Sequence, residues 1–121
     1  MDVSMKVTEM TFDGATPVDS YGPGFFRIAG KIIEGAVLIL PGSVGPWGGY
    51  SDLTEIQTTV DAIDILLVGS GAELGLPPTE FKNTIEALDI GIEVMATPAA
   101  CRTYNVLLAE DRRVALAVLP V

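Results

Sequence analysis

The sequence predicts an α/β fold: a three-layer single domain over residues 1–121, with a mostly parallel or mixed central sheet, flanking helices and an N-terminal antiparallel β-layer. Three observations predict it. Residues 36–40 (Ala-Val-Leu-Ile-Leu) form an unbroken apolar run, and residues 63–68 follow the same pattern, as expected of strands covered on both faces. Apolar residues at helical spacing fall between and after these runs. The last third reads as strand, capped helix and strand, and such alternation implies a sheet with helices on its faces, joined by right-handed crossovers.

Residues 5–12 alternate, with Met5, Val7 and Met10 or Phe12 on one face, and stop at the turn pair Asp13-Gly14, which predicts a half-buried edge strand. Thr16-Pro17-Val18 and Tyr21-Gly22-Pro23-Gly24 read as turns. Phe25-Phe26-Arg27-Ile28 and Lys31-Ile32-Ile33 bracket Ala29-Gly30 as a hairpin. After the apolar run 36–40 comes Pro41-Gly42, then a loop over residues 43–50. Leu53, Ile56 and Val60 stand at helical spacing behind a Ser51 cap, with Asp52 and Glu55 in the first turn, so residues 36–68 predict a β-α-β unit. Pro77-Pro78 opens a helix carrying Phe81, Ile85 and Leu88 on one side, with Gly91 as its left-handed cap. Residues 92–95 form the next strand. Thr97 caps the last long helix, Pro98 fits its first turn, and residues 114–119 form the closing strand.

Length and composition bound the function. A chain of 121 residues fits one domain, and 49% apolar residues with a mean hydropathy of +0.45 supply a core buried on both sheet faces. Sixteen acidic against seven basic residues give a net charge of −9, which argues against nucleic acid and anionic membranes as partners. With no histidine there is no imidazole for a metal site or a histidine-dependent triad, and one cysteine makes no internal disulfide. The first residues lack the charged lead and apolar run of a signal peptide, and no run is long enough to span a bilayer, so a cytoplasmic, reducing location is expected. No catalytic residue, metal or cofactor is assigned.

Several segments invite functional readings. Gly69-Ser70-Gly71-Ala72-Glu73-Leu74-Gly75 follows a buried strand as a dinucleotide-binding turn does, with Glu93 placed for a ribose contact. However, the third glycine is one residue late, and Leu76-Pro77-Pro78 separates the loop from its helix. Gly69, Gly71 and Gly75 are therefore weak cofactor-binding candidates, with loop flexibility as the competing role. Cys101 sits one turn into the last helix, where the helix dipole favours a thiolate. Helical phase instead groups Ala100, Cys101, Tyr104, Leu107 and Leu108 into a stripe facing the sheet. The opposite face carries Arg102, Asn105, Val106 and Ala109, which is apolar for a surface facing only water and marks either a contact surface or packing under the N-terminal β-layer. Arg102 and Asn105 also suit structural roles, Arg102 holding loop carbonyls or Glu93, and Asn105 closing a backbone turn. Trp47, in the glycine-rich loop over residues 43–50, is either an interface anchor or a lid over the sheet end.

The order Glu93-Val94-Met95, then Thr97-Pro98-Ala99-Ala100-Cys101-Arg102-Thr103-Tyr104-Asn105 and Arg112-Arg113-Val114, resembles the C-terminal signature of a small family of mostly uncharacterised single-domain proteins. The mitochondrial respiratory complex I assembly factor three and the adipogenesis-associated domain protein of animals belong to it. Gly24-Phe25-Phe26-Arg27-Ile28, Leu38-Ile39-Leu40-Pro41 and residues 64–71 extend the resemblance over nearly the whole chain. The resemblance implies a three-layer α/β domain and a non-enzymatic interaction module, an assembly or accessory factor for a respiratory complex. The apolar content of the outer face of the last helix and of the Trp47 loop adds the expectation that Trp47, Arg102, Asn105, Val106 and Ala109 form the contact surface for a protein partner or a second copy. The alternative is a small-ligand or nucleotide-binding domain built on the loops after Leu40 and Val68.

Overall fold

The computed structural model describes residues 10–11 and 16–121. A six-stranded sheet in the order β1 (Met10–Thr11), β6 (Ser43–Pro46), β5 (Val37–Leu40), β9 (Val114–Val118), β7 (Ile65–Gly69), β8 (Gly91–Met95) forms the middle layer, and a three-stranded antiparallel sheet of β2 (Val18–Gly22), β3 (Phe25–Ile28) and β4 (Lys31–Glu34) lies against one of its faces. Of the strand expected over residues 5–12, β1 (Met10–Thr11) pairs antiparallel with Val44 and Ser43 at the sheet edge, and the remaining residues of that prediction lie outside those described.

The small sheet consists of β2 (Val18–Gly22), β3 (Phe25–Ile28) and β4 (Lys31–Glu34). Ala29 and Gly30 both take positive φ, 53° and 76°, the geometry whose twist matches a two-residue hairpin. The Asp19 carboxylate accepts a hydrogen bond from the Gly30 N–H at 3.0 Å and braces that turn. Because β2 was read as turns, this sheet is larger than predicted.

β5 (Val37–Leu40) and β6 (Ser43–Pro46) form a hairpin through Pro41-Gly42, with Leu40 opposite Ser43 and Gly42 at φ 91°. Pro41 presets the first turn position and Gly42 supplies the left-handed second one. This overturns the expected β-α-β unit over residues 36–68. β5 pairs antiparallel with β9 (Val114–Val118), and β9 separates it from β7 (Ile65–Gly69). The intervening helix α1 (Thr54–Thr58) is short, has Leu53 rather than Ser51 at its N-cap, and continues into a 3₁₀ turn.

The parallel part of the sheet is β9-β7-β8, with β8 spanning Gly91–Met95. Helix α2 (Thr79–Ala87) leads from β7 out to β8, and α3 (Thr97–Ala109) leads back past β7 to β9. With both crossovers of the same hand, this reversal puts the two helices on opposite faces. At the end of α2 the left-handed residue is Asp89 (φ 64°), and Gly91 instead begins β8.

The alternation hidden in the apolar runs now has a meaning. Val37, Ile39, Leu67, Val114, Leu116 and Val118 point to the layer of α3 and the small sheet, where Ala100, Cys101, Tyr104, Phe26 and Ile28 meet them. Leu38, Leu40, Leu66, Val68, Ala115 and Ala117 point to the layer of α1 and α2, against Ile56, Phe81, Ile85 and Trp47. β9 carries leucine and valine on the first face and only alanine on the second, so Phe81 and Trp47 supply the bulk that close packing there requires.

Candidate functional site

Strand register sorts the predicted loops onto two ends of the sheet. Gly69 lies opposite Val118, and Val118 opposite Val37, while Leu40 is at the far end of β5. The loops after Leu40 and Val68 therefore do not converge, and their placement gives the ligand-binding alternative no support. Pro46 pairs with Val37, so the Trp47 loop is the one that reaches the Gly69 end.

The glycine loop at that end is closed on itself and on α3. The Ser70 N–H donates to the Met95 carbonyl (2.9 Å), the Gly71 N–H to the Thr97 hydroxyl oxygen (2.9 Å), and the Gly75 N–H to the Ser70 hydroxyl oxygen (2.9 Å). These three amides are committed within the protein and are not free for a phosphate. At the start of α3, the Thr97 N–H donates to the Gly71 carbonyl and Pro98 has no N–H. Gly69 has a packing reason to be glycine: a Cβ there would stand 2.6 Å from Val118 Cγ1 and 3.0 Å from Thr97 Cα. Packing at Gly69 and the backbone bonds of Gly71 and Gly75 thus give these three glycines structural roles. Glu93 is exposed on edge strand β8.

Trp47 is 5% exposed and lies on the α1–α2 face, with ring centroids 5.5 Å from Tyr50 and 6.1 Å from Phe81. Its indole N–H donates to the Asp52 carbonyl at 3.1 Å, and the Asp52 carboxylate accepts from the Gly48 N–H at 3.0 Å, which folds the loop over the sheet end. Trp47 is buried on the opposite side of the sheet from α3, so it does not join Arg102, Asn105, Val106 and Ala109 in one surface.

Those four α3 residues separate as well. Asn105 is half-buried and works as a strand substitute: its Oδ1 accepts from the Val18 N–H and its Nδ2 donates to the Val18 carbonyl, both at 2.9 Å. One turn of amide chemistry thereby satisfies the free edge of β2 and clamps the small sheet onto α3. Beside it the Tyr104 hydroxyl donates to the Thr16 carbonyl at 2.8 Å. Arg102, Val106 and Ala109 remain exposed, Val106 at 54%. Arg102 makes no ion pair among the described residues, where the ion pair is Arg113 Nη2 to Asp64 Oδ1 at 2.8 Å.

A cleft of about 180 Å³ runs between β2 and α3, walled by Asp19, Ser20 and Tyr21 on one side and Pro98, Cys101 and Arg102 on the other. The β2 residues were missed because a Pro/Gly-flanked five-residue strand carries little periodic signal.

Cys101 is 3% exposed and belongs to the core stripe with Ala100 and Tyr104. Burial pushes its thiol from an ordinary 9.0 up to about 11, opposite to the direction a helix-start thiolate requires. Native protein is expected to react negligibly with a bulky maleimide at pH 7.5 over an hour and fully once unfolded in urea, read by mass spectrometry. The folded state keeps a proton that the unfolded chain releases, so this group's contribution to stability is intact below about pH 9 and is lost as pH rises through about 11. Rapid native labelling would show the thiol to be accessible.

Comparison with known proteins agrees with this architecture. An uncharacterized protein of Rhodobacter capsulatus is 45% identical over 116 residues, covering 96% of this chain and 94% of its own. A Danio rerio protein named NADH dehydrogenase [ubiquinone] 1 alpha subcomplex assembly factor 3 is 29% identical, covering 97% of this chain and 71% of its own. Among solved structures, one described as an outer membrane protein from Bartonella henselae superposes with a TM-score of 0.81 at 36% identity, over 89% of this chain and 97% of that one. Residues 18–119, from the start of β2 to one residue past β9, match the profile of the protein family of unknown function DUF498/DUF598, and the chain belongs to that family.

Proposed function

We propose that this protein is a non-enzymatic interaction module that acts as an assembly or accessory factor for a respiratory NADH dehydrogenase, using the outer face of α3 as its contact surface. The likeness along 97% of the chain to a protein named as an assembly factor carries the reading. The exposed, partly apolar face of Arg102, Val106 and Ala109 supports the choice of surface, and Asn105 and Tyr104 tie that helix to the small sheet. No helix among the described residues is long and apolar enough to cross a membrane. In this reading the protein works from the cytoplasm, where its lone thiol stays reduced.

The test is genetic and structural together. Val106→Glu combined with Ala109→Glu is expected to leave stability within about 0.5 kcal/mol, since both side chains already face water. In cells carrying only this variant, assembled NADH dehydrogenase on native gels is expected to fall toward the level of a deletion strain. Full assembly in the variant, against a defective deletion strain, would move the contact surface elsewhere. Full assembly in the deletion strain would overturn the function itself.

A further inference from the structure

A second surface, at the end of the sheet where β7 leads into α2, carries its own signature. The loop between β7 and α2 holds Leu74 and Leu76 at 66% and 89% exposure. A lone exposed leucine is ordinary, but two in a loop that is otherwise tightly closed are not. The Ser70 hydroxyl donates to the Glu73 carbonyl at 2.8 Å and accepts from the Gly75 N–H, and Pro77-Pro78 stiffens the exit. The loop is ordered by polar bonds that leave its leucines outside, so the apolar side chains are presented rather than collapsed.

Just after Leu76 in the chain, Pro78, Glu80 and Phe81 line a shallow cleft of about 410 Å³ together with Tyr50 and Ser51. Leu76 precedes Pro78 by two residues, so the chain brings it within about 7 Å of that cleft. Tyr50 packs edge-on against Phe81, with centroids 5.0 Å apart, and gives the cleft an aromatic floor.

Charge says what covers this surface. Residues 70–82, which run from this loop into α2, carry Glu73 and Glu80 against the single Lys82, Asp52 stands beside the Trp47 loop, and the whole chain has a net charge of −9. Glu73 and Glu80 flank the leucines and are exposed. A second copy would bring the same acidic face and another net −9, and anionic lipid would be repelled in the same way.

We infer that Leu74, Leu76 and the Tyr50–Phe81 cleft form a docking surface for a basic amphipathic segment of a partner protein, which lays its apolar side on the leucines and its cations on Glu73 and Glu80. This surface is distinct from the outer face of α3 that carries Arg102, Val106 and Ala109.

The probe is a synthetic helical peptide with leucine on one face and lysine on the other, titrated into the intact protein. Trp47, the only tryptophan, packs against Tyr50 and Phe81 behind the cleft, so its emission reports occupancy, and calorimetry supplies the affinity. Saturable binding is expected, weakened at least about tenfold by Leu74→Ser with Leu76→Ser. Glu73→Gln with Glu80→Gln is expected to weaken binding and flatten its salt dependence. All four positions face solvent, so melting curves are expected to match wild type and separate lost binding from lost fold. Absent binding, equal binding to the leucine variant, or equal binding of a peptide with its leucines changed to serine overturns the inference. So does leucine-dependent binding to phosphatidylcholine vesicles, which would assign the surface to lipid, or a dimer in sedimentation that the leucine variant abolishes, which would assign it to a second copy.

Discussion

Replacing Tyr104 by alanine is expected to lower the unfolding free energy by about 3–5 kcal/mol, the range for emptying a core aromatic site. Tyr104 is 1% exposed and is the largest of the fully buried side chains. It belongs to the core that joins α3, the central sheet and the small sheet, so its ring fills space that no single layer can close over. Its hydroxyl also donates to the Thr16 carbonyl at 2.8 Å, and Thr16 is itself buried. Tyr104→Phe separates the two contributions, since it keeps the ring and strands the carbonyl, with an expected loss of about 1–2 kcal/mol. Urea unfolding followed by far-ultraviolet circular dichroism measures both, with an unchanged m-value showing that the same surface is still exposed on unfolding. Equal losses for the two variants would mean that the hydroxyl, not the packing, fixes the helix. A loss below about 1 kcal/mol for alanine would contradict the burial on which the placement of α3 rests.

The same residues show what the sequence reveals and what it withholds. The stripe of Ala100, Cys101, Tyr104 and Leu108 was legible because helical phase is a local property, and a helix seated on a sheet must bury one face. The Ala29-Gly30 turn was legible for a similar reason, its backbone demand being confined to two residues. β5 shows the limit. Its unbroken apolar run states that both faces are covered, but strand direction is set by partners distant in sequence, and β9, some eighty residues later, makes it antiparallel. β6 escaped notice because Ser43-Val44-Gly45-Pro46 has one large apolar residue and two turn formers, and its strand character comes from pairing with β5 and β1.

The site followed the same division. Arg102, Val106 and Ala109 were placed on the solvent side by phase alone. Asn105 shares that phase but is drawn under β2, because the edge of a sheet 87 residues away needs a donor and an acceptor that only a side-chain amide offers together. Trp47 lay in a loop rich enough in glycine for either role. The two hydrogen bonds from the loop to Asp52 decide for burial, and nothing local in the sequence announces them.

Thr97 gives the second large effect, and it connects the glycine loop to the proposed contact surface. It was read as the cap of α3, yet it is the first residue of the helix and is fully buried, and its hydroxyl serves two other segments. It accepts from the Gly71 N–H at 2.9 Å and donates to the Leu119 carbonyl at 2.7 Å, tying the exits of β7 and β9 to the start of the helix. Thr97→Val keeps the shape and removes both bonds, leaving a buried N–H and a part-buried carbonyl unpaired, and is expected to cost about 2–4 kcal/mol. Thr97→Ser keeps the hydroxyl and is expected to cost about 1 kcal/mol for the lost methyl group. Amide hydrogen exchange supplies the decisive readout: protection of Gly71 is expected to fall sharply in the valine variant and to persist in the serine one. Since α3 carries Arg102, Val106 and Ala109, a loosened helix start is also expected to weaken partner binding in the valine variant beyond what its population of folded molecules explains. Undiminished Gly71 protection in Thr97→Val would show that another acceptor holds that amide and that the loop closes without the threonine.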